Sequence, residues 1–127
     1  MSITTKICKA VKKMVQGLPR RCTPILYMDA NSAMGQHKSK SGVHDIDTNI
    51  CGQYGGGVEN ANGTCIRNML EDMGMYLPTT HYPIEHSFVS GAHHTSKTID
   101  FIAIPHNMQN MVYNAYTFTK SAVILQV

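Results

Sequence analysis

Two stretches of the chain carry residue types and spacings suited to chemistry. Met28-Asp29-Ala30-Asn31-Ser32-Ala33-Met34-Gly35 sets a carboxylate and an amide two residues apart, directly behind an apolar run. Residues two apart on an extended chain project to the same side, where Asp29 and Asn31 can together hold a metal-bound water or a phosphoryl oxygen. The same pair equally suits the opening of a turn, which Asp and Asn commonly begin. The second stretch, Ile99-Asp100-Phe101-Ile102, sets a carboxylate inside an apolar strand, where burial without a partner is costly. With apolar Ile102 and Ile104 on the same side, Asp100 reads as a buried or cleft-facing carboxylate kept for a histidine or a metal. Simple alternation, with Asp100 facing solvent from a half-exposed strand, is the plainer alternative.

The other reactive side chains are less ordered. Seven histidines are scattered along the chain apart from the His93-His94 pair. Neighbouring side chains diverge on a strand or turn, so this pair shows no fixed ligand spacing with His81 or His86 and reads as turn residues. His106, just past Pro105, reads as a loop residue at a strand end, with a substitute base as the sharper alternative. Cys8, Cys22, Cys51 and Cys65 show no CxxC pairing, which disfavours a zinc ribbon or a disulfide framework and predicts reduced thiols in an intracellular setting.

These residues need elements to position them. Ile3, Ile7, Ala10, Val11, Met14 and Leu18 recur at steps of three and four, with lysines opposite and Gly17-Leu18-Pro19 as a stop, which predicts an amphipathic helix. Pro24-Ile25-Leu26-Tyr27-Met28 is a short apolar run of the kind that forms a strand buried on both faces. From Asn31 to Gly63 the chain is polar, without period, and reads as one long functional loop. Asn62 then offers the N-cap of a second helix, with Cys65, Ile66, Met69, Leu70 and Met73 on one face and Gly74 at its end. Met75-Tyr76-Leu77 follows as a short strand. His86–Ser90 and Lys97–Ile104 flank a polar turn around Gly91 as a hairpin ended by Pro105. Ala122–Val127 is a last strand.

At 127 residues, with 43% hydrophobic and 15% charged residues, the chain can build one core and is not a disordered tail. Its net charge of +3 is too small to argue for nucleic-acid binding by itself. Lys6, Lys9, Lys12 and Lys13 interrupt the N-terminal apolar positions, which speaks against a membrane span or a secretory leader there. An opening helix with almost no lead-in, and a strand running to the last residue, predict a piece of a larger domain.

Taken in order, the first helix, Ile25–Gly35, the Gly/Asn-rich loop, Asn62-Gly63 with its helix, Leu77-Pro78-Thr79-Thr80, Ser87-Phe88-Val89 and Lys97–Ile102 form a series. That series resembles the C-terminal half of the endonuclease/exonuclease/phosphatase family, most of all the endonucleases of non-LTR retroelements and their domesticated relatives. The resemblance covers nearly the whole chain. Asp29 and Asn31 match the Asp and Asn of the family's GDFNA motif, which contact the scissile phosphate and orient the attacking water. Asp100 matches the Asp of its IDYI-type strand, which holds a catalytic histidine, and Phe88 stands where many members carry a Trp. The resemblance implies an α+β fold, half of a four-layer α/β/β/α sandwich of the DNase I-like type, mainly one mixed sheet with two flanking helices, with residues 1–127 as the C-terminal portion of one such domain. It also implies Mg²⁺-dependent phosphodiester cleavage, with Mn²⁺ as a substitute and Asp29 as metal ligand. The implied partners are nucleic acid, DNA ahead of RNA, and an N-terminal half or a second copy covering an exposed sheet, with no membrane.

Two departures from the family pattern bear on activity. Where the family closes on Ser-Asp-His, this chain reads Thr119-Lys120-Ser121-Ala122-Val123, so the Asp-His pair becomes Lys120-Ser121 or Ala122-Val123 and no imidazole is supplied. The family's N-terminal half, with its metal-binding Glu, has no counterpart here. Two expectations therefore compete: part of a working nuclease, or a catalytically dead remnant serving as a non-enzymatic module. A His-rich metal-binding domain is a third reading, which the ordered motif series opposes.

Overall fold

The computed structural model describes residues 2–30, 34, 36–38, 44–46, 50–52, 54, 59–82, 88–89, 96–97, 100–118 and 122–127. Ser2 opens helix α1 (Ile3–Gln16), its Oγ accepting a hydrogen bond from the Thr5 amide at 3.1 Å. The helix ends where the Gly17 amide donates to the Lys13 carbonyl, as the Gly-Leu-Pro stop predicts. Its packed stripe differs from the apolar stripe of the sequence. Cys8 is buried and Val11 packs against the core, while Ile3, Ile7 and Met14 are exposed. The reason is the second helix, which engages Thr5 and Lys12 on α1: the Cys65 thiol donates to Thr5 Oγ1, and Lys12 pairs with Asp72 at 2.9 Å.

Helix α2 (Ala61–Asp72) is capped two residues earlier than expected. Asn60 rather than Asn62 is the N-cap, its Oδ1 accepting from the Gly63 amide at 2.8 Å. The side chain of the preceding Glu59 is fully buried and fixes the start. Its two oxygens accept from Arg67 Nε and Nη2, each at 2.8 Å, and one also accepts from the Thr64 hydroxyl. A carboxylate beside a helix N-terminus is also favoured by the helix dipole. Gly74 leaves the helix at φ +65°, in the left-handed region that favours glycine.

The chain after each helix feeds one three-stranded sheet. Strands β1 (Leu26–Asp29), β4 (Met75–Tyr76) and β7 (Asp100–Pro105) assemble in the order β1-β7-β4, both pairings antiparallel. Three two-stranded antiparallel ribbons accompany it: β2 (Gln36–Lys38) with β3 (His44–Ile46), β5 (Phe88–Val89) with β6 (Ser96–Lys97), and β8 (Asn114–Phe118) with β9 (Ala122–Gln126). The architecture is a small α+β fold of helices and antiparallel sheets. The expected mixed sheet is antiparallel among the described strands, because β7 runs opposite to both neighbours.

The register gives the central sheet two distinct faces. Leu26 opposes Ala103, Met28 opposes Phe101 and Met75 opposes Pro105. The apolar members of this set join Cys8, Val11, Ile66, Met69 and Leu70 in the main core, so both helices lie on this face. On the other face Tyr27 opposes Ile102, Asp29 opposes Asp100 and Tyr76 opposes Ile104. A second, smaller core of Tyr76, Ile104 and Val112, backed by Ile102, Tyr82, Met108 and Leu125, covers part of it. Strand β1 is therefore half-buried and alternating instead of buried on both faces, because it is a sheet edge covered by helices on one side only.

Three further expectations change. The segment read as one loop contains the β2–β3 ribbon, and it sends Met34, Ile50 and Cys51 into the main core. Its Ile50–Tyr54 end is clamped to Leu77–Thr80. The Leu77 amide donates to the Ile50 carbonyl, the Gly52 amide to Thr80 Oγ1 and the Tyr54 amide to the Thr80 carbonyl. The hairpin around Gly91 is the short β5–β6 ribbon, while β7 is a separate strand given to the sheet. Among the described residues, no helix is long and apolar enough to cross a membrane.

Candidate functional site

Asp29 is the last residue of β1 and Asp100 the first of β7, and they are direct partners across the antiparallel pair. Directly opposed residues project from the same face with Cβ atoms about 4.5–5.5 Å apart. Two carboxylates separated by some seventy residues of sequence are thus side by side at one end of the sheet, on the face away from the helices. Asp29 is exposed and Asp100 half-buried. Asp29 ends an edge strand, since β1 is the edge and β7 the centre among the described strands. Asn31 lies outside the described residues, as do His86, His93 and His94.

A like-charged pair at this position is electrostatically unfavourable, and Asp is a poor strand former. What the arrangement offers in return is a set of hard oxygen donors from two adjacent strands, the donor type Mg²⁺ takes. Among the described residues no cluster of three or more His, Cys, Asp or Glu side chains could hold a metal.

The apolar surroundings divide as the register dictates. Tyr27, two positions before Asp29 and on the same face of β1, is 61% exposed, and Ile25 is 62% exposed. Phe101 is fully buried because its partner Met28 sets it on the helix side, and Ile99 lies outside the described residues. A cavity of about 260 Å³ lies between α1 and β1, reaching from Ile7 and Val11 to Asp29 and Ala30.

A second constellation, absent from the sequence reading, gathers at the other end of β7. His106 begins a 3₁₀ turn (His106–Met111), its amide held by the Gly74 carbonyl at 2.9 Å, and its ring stacks on Tyr76 with centroids 5.1 Å apart and 13° between planes. His81 closes another 3₁₀ turn (Pro78–His81) and meets the Tyr76 ring edge-on at 5.7 Å. His81 Nδ1 lies 3.2 Å from the Leu77 carbonyl, and the Tyr82 hydroxyl donates to the Val112 carbonyl at 3.3 Å. Burial first, and Tyr82 second, push the Tyr76 phenol above its ordinary value. These rings, with Gln109 and Asn110, line an open cleft of about 380 Å³. His106 follows the end of β7 directly, as expected, but it is half-buried and stacked, and it lies at the opposite end of β7 from Asp100. The signal was hidden because the β4–β7 pairing and the His106–Gly74 hydrogen bond, both long-range, bring the two histidine-bearing turns together.

All four cysteines are free thiols. Cys22 is exposed and Cys51 buried, and burial followed by contact with the Cys65 thiol pushes Cys8 up to about 11. Compared with known protein families, with curated proteins and with solved structures, the chain matches none of them.

Proposed function

We propose that the chain is the phosphate-binding portion of an endonuclease/exonuclease/phosphatase domain of the retroelement type, a fragment of a Mg²⁺-dependent phosphodiesterase that engages nucleic acid, DNA ahead of RNA, without completing hydrolysis itself. The observation that carries this reading is the register that opposes Asp29 and Asp100. The family resemblance assigns these two residues to one site, although the sequence between them gives no reason for them to meet. Helices on one face of the sheet, and exposed Tyr27 on the other, support half of a DNase I-like sandwich, since a second sheet would pack on that open face.

In this reading Asp29 and Asp100 would hold Mg²⁺, which when bound draws charge from a phosphoryl oxygen. By the resemblance, Asp29 and Asn31 would contact the phosphate and orient water. In the family the site is completed by an imidazole held by the Asp that Asp100 matches. The positions matching the family's Asp-His are Lys120-Ser121 or Ala122-Val123, and His106 is committed to Tyr76. General acid-base assistance is worth roughly two to four powers of ten, so its loss leaves binding without useful turnover. The departure of Thr119–Val123 from the family's closing Ser-Asp-His favours the second reading, a non-enzymatic module or catalytically dead remnant.

Purified chain incubated with supercoiled, nicked, abasic and single-stranded DNA, in Mg²⁺ and in Mn²⁺, tests both halves of the proposal. The expected result is metal-dependent retention of DNA that is lost in Asp29→Ala, with no cleavage above background. Retention indifferent to metal and to Asp29→Ala would overturn the assignment of the acid pair. Cleavage that disappears in Asp29→Ala would keep the family reading and overturn the inactivity.

A further inference from the structure

We infer that the cleft walled by Tyr76, His81, Tyr82 and His106 binds an unpaired adenine-type base. The inference rests on the nucleic-acid reading above and extends it to a second contact on the same face of the sheet. Tyr76 opposes Ile104, and Ile104 lies four residues along β7 from Asp100, so the tyrosine and both acids emerge from one face. At about 3.3 Å per strand residue the separation is about 13 Å, roughly four stacked base steps of a single strand.

The chemistry of the cleft selects the ligand. At about 380 Å³ its volume falls in the range of small-ligand sites. Among the described residues no Lys or Arg lines it, so they offer a phosphate no cationic partner, and no Asp or Glu lines it, so they offer an amine no anionic one. What remains is planar rings beside two carboxamides. Imidazole and phenol faces stack on bases of an unpaired strand, and Asn or Gln amides match the N6 and N7 edge of adenine. The walls are set beforehand by backbone contacts: His106 through Gly74, Tyr82 through Val112 and His81 at Leu77. Gln109 and Asn110 are exposed at the rim, free to close on the base edge without disturbing the core.

The test is a titration without divalent metal, in the presence of a chelator, so that the acid pair plays no part. Fluorescence anisotropy compares short oligodeoxyadenylate with oligothymidylate of equal length, and adenosine monophosphate serves as competitor. The expected result is preference for the adenine strand, weakened about tenfold in the Gln109→Ala/Asn110→Ala double variant, whose melting temperature matches the wild type. Ring-proton NMR signals of Tyr76, Tyr82 and His106 should shift with either adenine ligand. Competition by the mononucleotide at matching affinity assigns the cleft to a free nucleotide, and weak competition assigns it to a strand; both uphold the base. Equal binding of the two strands, or binding unchanged in the double variant with silent ring signals, overturns it. Because no metal is present, such a failure leaves the Asp29–Asp100 assignment standing.

Discussion

On the helix side of the β1-β7-β4 sheet, Phe101, Ala103 and Met75 are fully buried against residues from α1 and α2, and every side chain there is apolar. On the opposite side the same three strands present Tyr27 in the open, two facing aspartates and a tyrosine flanked by two histidines. Period-two alternation sends the two sets to different faces of one short sheet. The difference is one of packing: the buried apolar side chains gather where the helices pack, and the carboxylates and the tyrosine–histidine rings stand where packing is incomplete.

Substitutions on the helix side should therefore have the largest effect. Phe101→Ala removes the largest fully buried side chain and should cost about 3–5 kcal/mol in denaturant unfolding. A loss well below that range would mean that the helix face is not the main source of stability. Next comes Gly52→Ala, at the clamp that carries Ile50 and Cys51 into the same core. A Cβ at this position would lie 2.5 Å from the Thr80 carbonyl oxygen and 2.8 Å from His81, both too close to accommodate without backbone movement. The expected cost is about 1–3 kcal/mol, read from the same unfolding curves.

The faces should also differ in their response to alkali. The Cys8 thiol on the helix side is raised from 9.0 to about 11, so the folded state keeps a proton that the unfolded chain gives up. Its contribution is intact below pH 9.0 and is lost as pH rises towards about 11. Tyr76, on the other face, is raised in the same direction and adds its own loss above its ordinary value of 10.0. Cys8→Ala should flatten the earlier part of the decline and leave the later part. An unchanged profile would contradict the burial of that thiol.

How far these features were legible in the sequence depended on the range of the interactions that set them. Helices α1 and α2 and strand β7 follow from periodicity and stop signals, which act within a few residues. Strand β8 was missed because Asn114–Phe118 has no strong apolar alternation and owes its form to pairing with β9. Met34, Ile50 and Cys51 are isolated apolar positions in a polar stretch, and only the space beneath the helices shows that they are core residues. Asn60 displaced Asn62 as the cap because Glu59, locked by Arg67, fixes the turn before it. Asp29 and Asp100 were recognisable by residue type and by the resemblance, but their opposition is a property of register, which a single strand does not encode. The ring cleft joins residues from two 3₁₀ turns and a strand, and nothing local foretells it.

The central claim is that the open face retains two opposed carboxylates for a cation, at a cost to stability. Thermal unfolding of wild type and Asp29→Asn, each with and without millimolar Mg²⁺, tests it most directly. Without metal, removing one charge of the opposed pair should stabilise the protein by roughly 0.2–1 kcal/mol. Mg²⁺ should raise the melting temperature of the wild type and leave that of Asp29→Asn unmoved. An Asp29→Asn protein that melts lower than wild type without metal, and that gains as much from Mg²⁺, would contradict the account.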